Sequence, residues 1–192
     1  VYDANGWLQT VKAERTSGTN KTEKTLRSYV YDSYGKIRQI KDCQNPLGNG
    51  DKTIQRTYTY DSFDRVKTMV YTDLSDSEKV LESYAYEYDK NSNIVKKTEK
   101  NDAPSKQEEK IHQTKEYTYD SQGRLTKTVT TDHRKEDQKE TITYTYDAAG
   151  NRLSEDNGSQ KTVYTYNGLD QIQRATTAKG LAVDEVKDYT YD

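Results

Sequence analysis

The stretch YTYDSQGRL occupies residues 117–125. Tyr117 and Tyr119 stand two apart, the period of a strand that turns both rings to one face and Thr118 to the other. Asp120 ends the strand, because its carboxylate can accept a backbone N–H two residues on in an Asx-turn. Gly123 suits the left-handed position after a type I turn in a hairpin with a G1 bulge. Leu125 then opens the returning strand. The nine residues read as strand, tight turn, strand.

The same phrase recurs along the chain, as in TYTYDSFDRV (57–66) and TYTYDAAGNRL (143–153). Its acid stands at Asp3, Asp32, Asp61, Asp89, Asp120, Asp147 and Asp192, with Asn167 in its place once. The intervals are 29, 29, 28, 31, 27, 20 and 25 residues, which bounds about seven repeats within residues 1–192. The residue before the acid is always tyrosine: Tyr2, Tyr31, Tyr60, Tyr88, Tyr119, Tyr146, Tyr166 and Tyr191. Two residues earlier stand Tyr29, Tyr58, Tyr86, Tyr117, Tyr144, Tyr164 and Tyr189, so the motif takes fifteen of the 18 tyrosines. Three after the acid come Gly6, Gly35, Asp64, Ser92, Gly123, Gly150 and Asp170, all residues a turn accepts. Five after it come Leu8, Ile37, Val66, Ile94, Leu125, Arg152 and Ile172. Arg152 breaks the apolar run, and GNRL suggests a one-residue insertion that moves the apolar position to Leu153.

The segments between hairpins are polar: TSGTNKTE (16–23), NPLGNGD (45–51), NDAPSKQEEK (101–110), DHRKED (132–137) and EDNGSQ (155–160). They read as hairpin loops of unequal length, which explains the wandering period. The fold class expected is all-β, an array of some fourteen or fifteen antiparallel strands in one sheet. Corresponding tyrosines are expected to meet across repeats and hold neighbouring repeats together.

Composition supports a stacked repeat over a conventional core. Only 30% of the residues are apolar, tyrosine included, with one Phe, one Trp and one Met; ordinary domains are about half apolar. The wealth of tyrosine argues against disorder. Thirty basic residues face 32 acidic ones without blocks of one sign, so the basic footprint of a nucleic-acid binder is missing. No apolar run approaches a signal segment or a membrane span. The sequence opens on VYD and closes on YTYD, in the middle of its motif, and is expected to be an excerpt of a longer chain.

The phrases YDANGWL, YDSYGKI, YDSQGRL and YDAAGNRL resemble the signature of the RHS/YD-repeat family, Tyr-Asp-x-x-Gly-(Arg/Asn)-Leu. The resemblance covers essentially the whole chain; Asp64, Ser92, Asn167 and Asp170 depart from it. It implies a β-ribbon that spirals into a hollow shell or tube, as in bacterial polymorphic toxins, wall-associated proteins, insecticidal toxin complexes and teneurins. It further implies an extracellular or cell-surface bacterial protein with a structural role, in a shell or an extracellular filament. The partners it implies are further repeats or identical copies, an encapsulated effector domain, or surface glycans. Carbohydrate binding and adhesion form the alternative reading. Shells of this family that hold cargo carry a self-cleaving aspartate motif, and no such stretch occurs in these residues.

Other chemistry is sparse, and no enzyme, metal or cofactor site is expected. His112 and His133 lie in polar segments without ligand-like spacing. Cys43 is the single cysteine, a loop residue or an intermolecular bridge. DKNSN (89–93) resembles the start of a calcium loop, but its twelfth position is Lys100, where a glutamate is needed. The sequons NKT (20–22) and NGS (157–159) arise by accident in so polar a chain.

Overall fold

Alternating Tyr, Thr and Val residues do form strands, and the turn acid does end them. The computed structural model describes residues 1–43 and 52–191. Six of the seven Tyr-x-Tyr pairs close a strand: β2 (Asn20–Tyr31), β4 (Thr53–Tyr60), β6 (Lys79–Tyr88), β8 (Ile111–Tyr119), β10 (Gln138–Tyr146) and β12 (Gln160–Tyr166). The returning strands open on the fifth residue after the acid: β3 (Ile37–Cys43), β5 (Val66–Asp73), β7 (Ile94–Asn101), β9 (Leu125–Asp132), β11 (Arg152–Asp156) and β13 (Ile172–Lys179). With β1 (Thr10–Ser17) and β14 (Ala182–Asp188) they make a 14-stranded sheet in sequence order. The one helical element among the described residues is a 3-10 turn at Gln107–Glu109.

The chain divides into two compact bodies. The first comprises Val1–Tyr86 and Thr98–His112, and its strands β1 to β6 pair antiparallel, each with the next. The second comprises Glu87–Lys97 and Gln113–Asp192, and pairs β8 to β14 in the same way. Asp192 lies outside the described residues.

In each body the rings share one face. The residue between the two tyrosines is exposed in every strand (Val30, Thr59, Glu87, Thr118, Thr145, Thr165), while the tyrosines beside it are half-buried. The core this produces is thin. Among the described apolar side chains only Ile40, Ile54 and Ala175 are buried, and none is fully so. The sheet is therefore held by what the strands and turns do to one another.

Several sequence expectations need correction. No residue is inserted at GNRL: Tyr146 pairs with Arg152 just as Tyr119 pairs with Leu125, each beside a register shift. Arg152 serves the position because its guanidinium lies over the rings of Tyr144 and Tyr164, at 5.7 and 5.0 Å, while Leu153 points to the exposed face. TSGTNKTE is mostly strand, not loop: Ser17 pairs with Asn20, and Gly18 at φ +62 lets two residues reverse the chain. The loop NPLGNGD lies outside the described residues. Cys43 is the half-buried last residue of β3, paired with Thr53, and His112 lies within β8. The terminal motif tyrosines fall outside regular strands. Tyr2 makes an isolated bridge with Leu8, and Tyr189 and Tyr191 follow the end of β14; all three are exposed.

Candidate functional site

What the repeat builds, again and again, is one kind of turn. The Asp120 amide donates to the Arg124 carbonyl (2.9 Å), and the Gly123 amide donates back to the Asp120 carbonyl (3.0 Å). Oδ1 of Asp120 accepts the amides of Gln122 and Arg124, both at 2.9 Å, and Oδ2 accepts Nε of Arg124 at 2.7 Å. Asp61 repeats this with Phe63 and Arg65. Asp89 does so with Asn91 and Asn93, whose side-chain amide replaces the guanidinium at 3.0 Å. Asp3, Asp32 and Asp147 hold the same backbone contacts with their own fourth residues, Trp7, Lys36 and Asn151.

The third residue after the acid is left-handed in every case: Gly6, Gly35, Gly123 and Gly150, but also Asp64 (φ 66), Ser92 (φ 67) and Asp170 (φ 60). The register shift one residue before the turn acid, as between Thr118 and Tyr119, is the bulge expected from the glycine.

These contacts set the charge of the acids. Backbone and side-chain hydrogen bonds from Arg124 hold the Asp120 carboxyl below the usual range. For Asp61, partial burial opposes ionisation, but the bonds from Arg65 and Phe63 outweigh it. Asp32 and Asp147 are lowered against the same opposition by the amides of Lys36 and Asn151.

The second device joins repeats. The hydroxyl of the tyrosine before the acid donates to the backbone carbonyl of the fifth residue after the preceding acid. The pairs are Tyr31 to Leu8 (2.8 Å), Tyr60 to Ile37 (2.7 Å), Tyr119 to Ile94 (2.8 Å), Tyr146 to Leu125 (2.7 Å), Tyr166 to Arg152 (2.8 Å) and Tyr191 to Ile172 (2.9 Å). Burial raises the pKa of Tyr60, Tyr119, Tyr146 and Tyr166, keeping each hydroxyl a donor.

Across repeats the rings of Tyr31, Tyr60 and Tyr146 meet other residues, not their expected tyrosine counterparts. A returning strand lies between successive motif strands, so counterparts stand about 10 Å apart. The fourth residue of the preceding turn fills the gap. Trp7 packs on Tyr31 at 5.4 Å, Lys36 lies over Tyr60 at 5.6 Å, and Arg124 over Tyr146 at 5.0 Å. Arg124 also donates to the Asp147 carbonyl (2.8 Å), Asn151 to Asp170 (2.8 Å), and Lys36 pairs with Asp64. The Arg-or-Asn preference at this position was visible in the sequence, but its reach into the next turn was not.

Two further clusters escaped the sequence reading. In the first body Asp42 is held by Arg27 and Arg56, Arg56 lies over Tyr71 (5.9 Å), Tyr71 contacts Tyr84 edge-on, and Tyr84 donates to Glu82. Burial and the adjacent Glu82 push the Tyr84 pKa up to about 12. This transverse chain follows register, which spacing along one strand cannot reveal. In the second body Nε2 of His133 lies 2.8 Å from the Thr114 hydroxyl, and Nδ1 lies 2.6 Å from Asp137, tying the loop after β9 to β8. No three metal-ligating side chains converge among the described residues.

No family model matches the chain, and no curated protein matches it. Solved structures do. The crystal structure of TcdB2–TccC3–Cdc42 aligns at 13% identity and a TM-score of 0.43, over 92% of this chain and 12% of that one. TcdB2–TccC3 aligns at 14% identity and 0.35, over 97% and 15%. TcdB2–TccC3 without its hypervariable C-terminal region aligns at 14% and 0.40, over 97% and 14%. The chain thus spans less than a sixth of the length of these structures' chains.

Proposed function

We propose that this chain is a structural segment of a large secreted or cell-surface bacterial protein, a length of β-wall that encloses or presents another domain. The observation that carries this reading is the recurring bond from each motif tyrosine to the carbonyl of the preceding repeat. The tyrosine before each turn acid spends its hydroxyl on joining repeats. This chemistry goes into extension of a sheet, and the reading assigns the chain no catalytic role. The wall would curve so that the tyrosine face turns inward, as in a shell, with further repeats of the same chain or an identical copy continuing the sheet. The test is to compare this segment with the full-length chain under limited proteolysis. A wall segment shows slow cleavage of β1 and β14 in the full-length protein and fast cleavage in isolation. Equal protection in both would contradict the reading.

A second reading, adhesion through carbohydrate, is favoured by Tyr34 and Phe63. They occupy the tips of successive turns, 87% and 77% exposed, and although the Arg65 guanidinium lies over one face of Phe63 at 5.1 Å, both rings present aromatic surface to solvent. A glycan screen of the native chain and of Tyr34→Ala/Phe63→Ala separates the readings. Binding that disappears in the double variant supports adhesion, and absence of binding leaves the wall alone.

A further inference from the structure

One repeat carries an amide where the others carry the turn acid, and a glycine follows it: Asn167–Gly168. We propose that Asn167 is a self-modification site, where spontaneous hydrolysis of the side-chain amide installs the turn acid of the other repeats.

The chemistry needs only the chain and water. The Gly168 amide nitrogen, once it yields its proton to solvent, attacks Cγ of Asn167. The Cγ–Nδ2 bond breaks and ammonia leaves with the proton, closing a succinimide. Water then opens the ring at Cγ and restores the Gly168 amide. The net change is amide plus water to carboxylate plus ammonium, with no oxidation or reduction.

Three observations single out this position. First, the nucleophile is free. Three Asn–Gly pairs lie within the described residues, at 5–6, 157–158 and 167–168. The Gly6 amide is bonded to the Asp3 carbonyl (3.1 Å) and the Gly158 amide to Asp156 Oδ1 (2.8 Å). The Gly168 amide has no hydrogen-bond acceptor among the described residues, and its surroundings are open, with nothing within 4 Å of where a Cβ would stand. Glycine also offers no side chain to block the attack.

Second, the product's cradle is already built. Oδ1 of Asn167 accepts the amides of Leu169 (2.9 Å) and Gln171 (3.1 Å), the bonds that Asp120 receives from Gln122 and Arg124. A carboxylate accepts such bonds more strongly than an amide oxygen.

Third, the fourth residue can adapt. Asn167 Nδ2 now donates to Gln171 Oε1 at 2.8 Å. After conversion, a half-turn of the Gln171 amide presents its NH2 to the new oxygen. Asn93 and Asn151 already serve Asp89 and Asp147 in this way. Opening the ring on its other side gives isoaspartate, whose extra backbone methylene pulls the carboxylate away from the Leu169 and Gln171 amides. The folded turn therefore favours aspartate.

The experiment ages the folded native chain in mildly alkaline buffer and maps its peptides by mass spectrometry with fragmentation that separates aspartate from isoaspartate. The mass gain of amide-to-acid exchange is expected at Asn167 several-fold sooner than at Asn5 or Asn157, mainly as aspartate. Gly168→Ala should slow it several-fold. Asn167→Asp should fold normally and melt at or above the native temperature. Conversion at Asn167 no faster than at Asn5 and Asn157, or isoaspartate as the main product, or a lower melting temperature for Asn167→Asp, overturns the proposal.

Discussion

The hydroxyl of Tyr146 lies 2.7 Å from the backbone carbonyl of Leu125, one repeat earlier in the chain. Leu125 opens β9, where a tyrosine ring reaches a carbonyl at the mouth of the preceding turn. Arg124, beside it, bonds its own turn acid, lies over the Tyr146 ring and donates to the Asp147 carbonyl. One turn thus builds the seat for the next tyrosine. That explains why the acid, the fourth residue and the tyrosine recur together although they stand in different strands.

Gly35 and Gly123 separate backbone strain from packing. Both are left-handed, at φ +85 and +77. A Cβ on Gly35 would come within 2.9 Å of the Trp7 ring, while one on Gly123 meets nothing within 4 Å. Gly123→Ala is expected to cost about 1 kcal/mol, the strain alone. Gly35→Ala should cost more and change Trp7 fluorescence. Equal costs in urea unfolding, with unchanged fluorescence, would remove Trp7 from the account.

How legible this was differs by element. The turns were readable because Asp-x-x-Gly states its own hydrogen bonds and its own φ. Where Asp64, Ser92 and Asp170 replace glycine, the turn persists because the side-chain oxygen of Asp61, Asp89 or Asn167 accepts two backbone amides and holds a strained residue in place. Arg152 misled because hydropathy treats arginine as an outlier, whereas its flat guanidinium stacks on tyrosine as a large apolar residue would. The Arg27–Asp42–Arg56 chain and the His133 tie depend on which residues face each other across strands, and register at the unequal loops is not written in local sequence.

Acid should loosen the array. Asp32, Asp61, Asp120 and Asp147 have lowered pKa values when folded. Their contribution is complete above the unfolded value of about 3.9 and is lost as pH falls through the lower folded values. Asp120→Asn keeps an acceptor for the two amides but cannot titrate. Its stability should fall less steeply with acid than that of the native chain. Parallel acid titrations of the two proteins by circular dichroism would contradict the assignment.

Alkali should act through the tyrosines. Tyr60, Tyr119, Tyr146 and Tyr166 are raised, chiefly by burial. Their contribution is complete below the unfolded value of about 10 and is lost as pH rises through the folded values. Tyrosinate absorbance should therefore grow together with loss of β-sheet signal. Ionisation of all tyrosines well before any structural change would show that these hydroxyls hold nothing.

The central claim is that the hydroxyls of Tyr60 and Tyr146, before the acid, fasten one repeat to the last, while those of Tyr58 and Tyr144, two residues earlier, do not. Urea unfolding of phenylalanine variants at the two positions tests it most directly. Tyr60→Phe and Tyr146→Phe each leave a carbonyl without its donor and should cost about 1 kcal/mol. Tyr58→Phe and Tyr144→Phe keep the ring on the same face, and their hydroxyls make no hydrogen bond among the described residues, so they should be near neutral. Equal losses at both positions, or none at Tyr60 and Tyr146, would contradict the account.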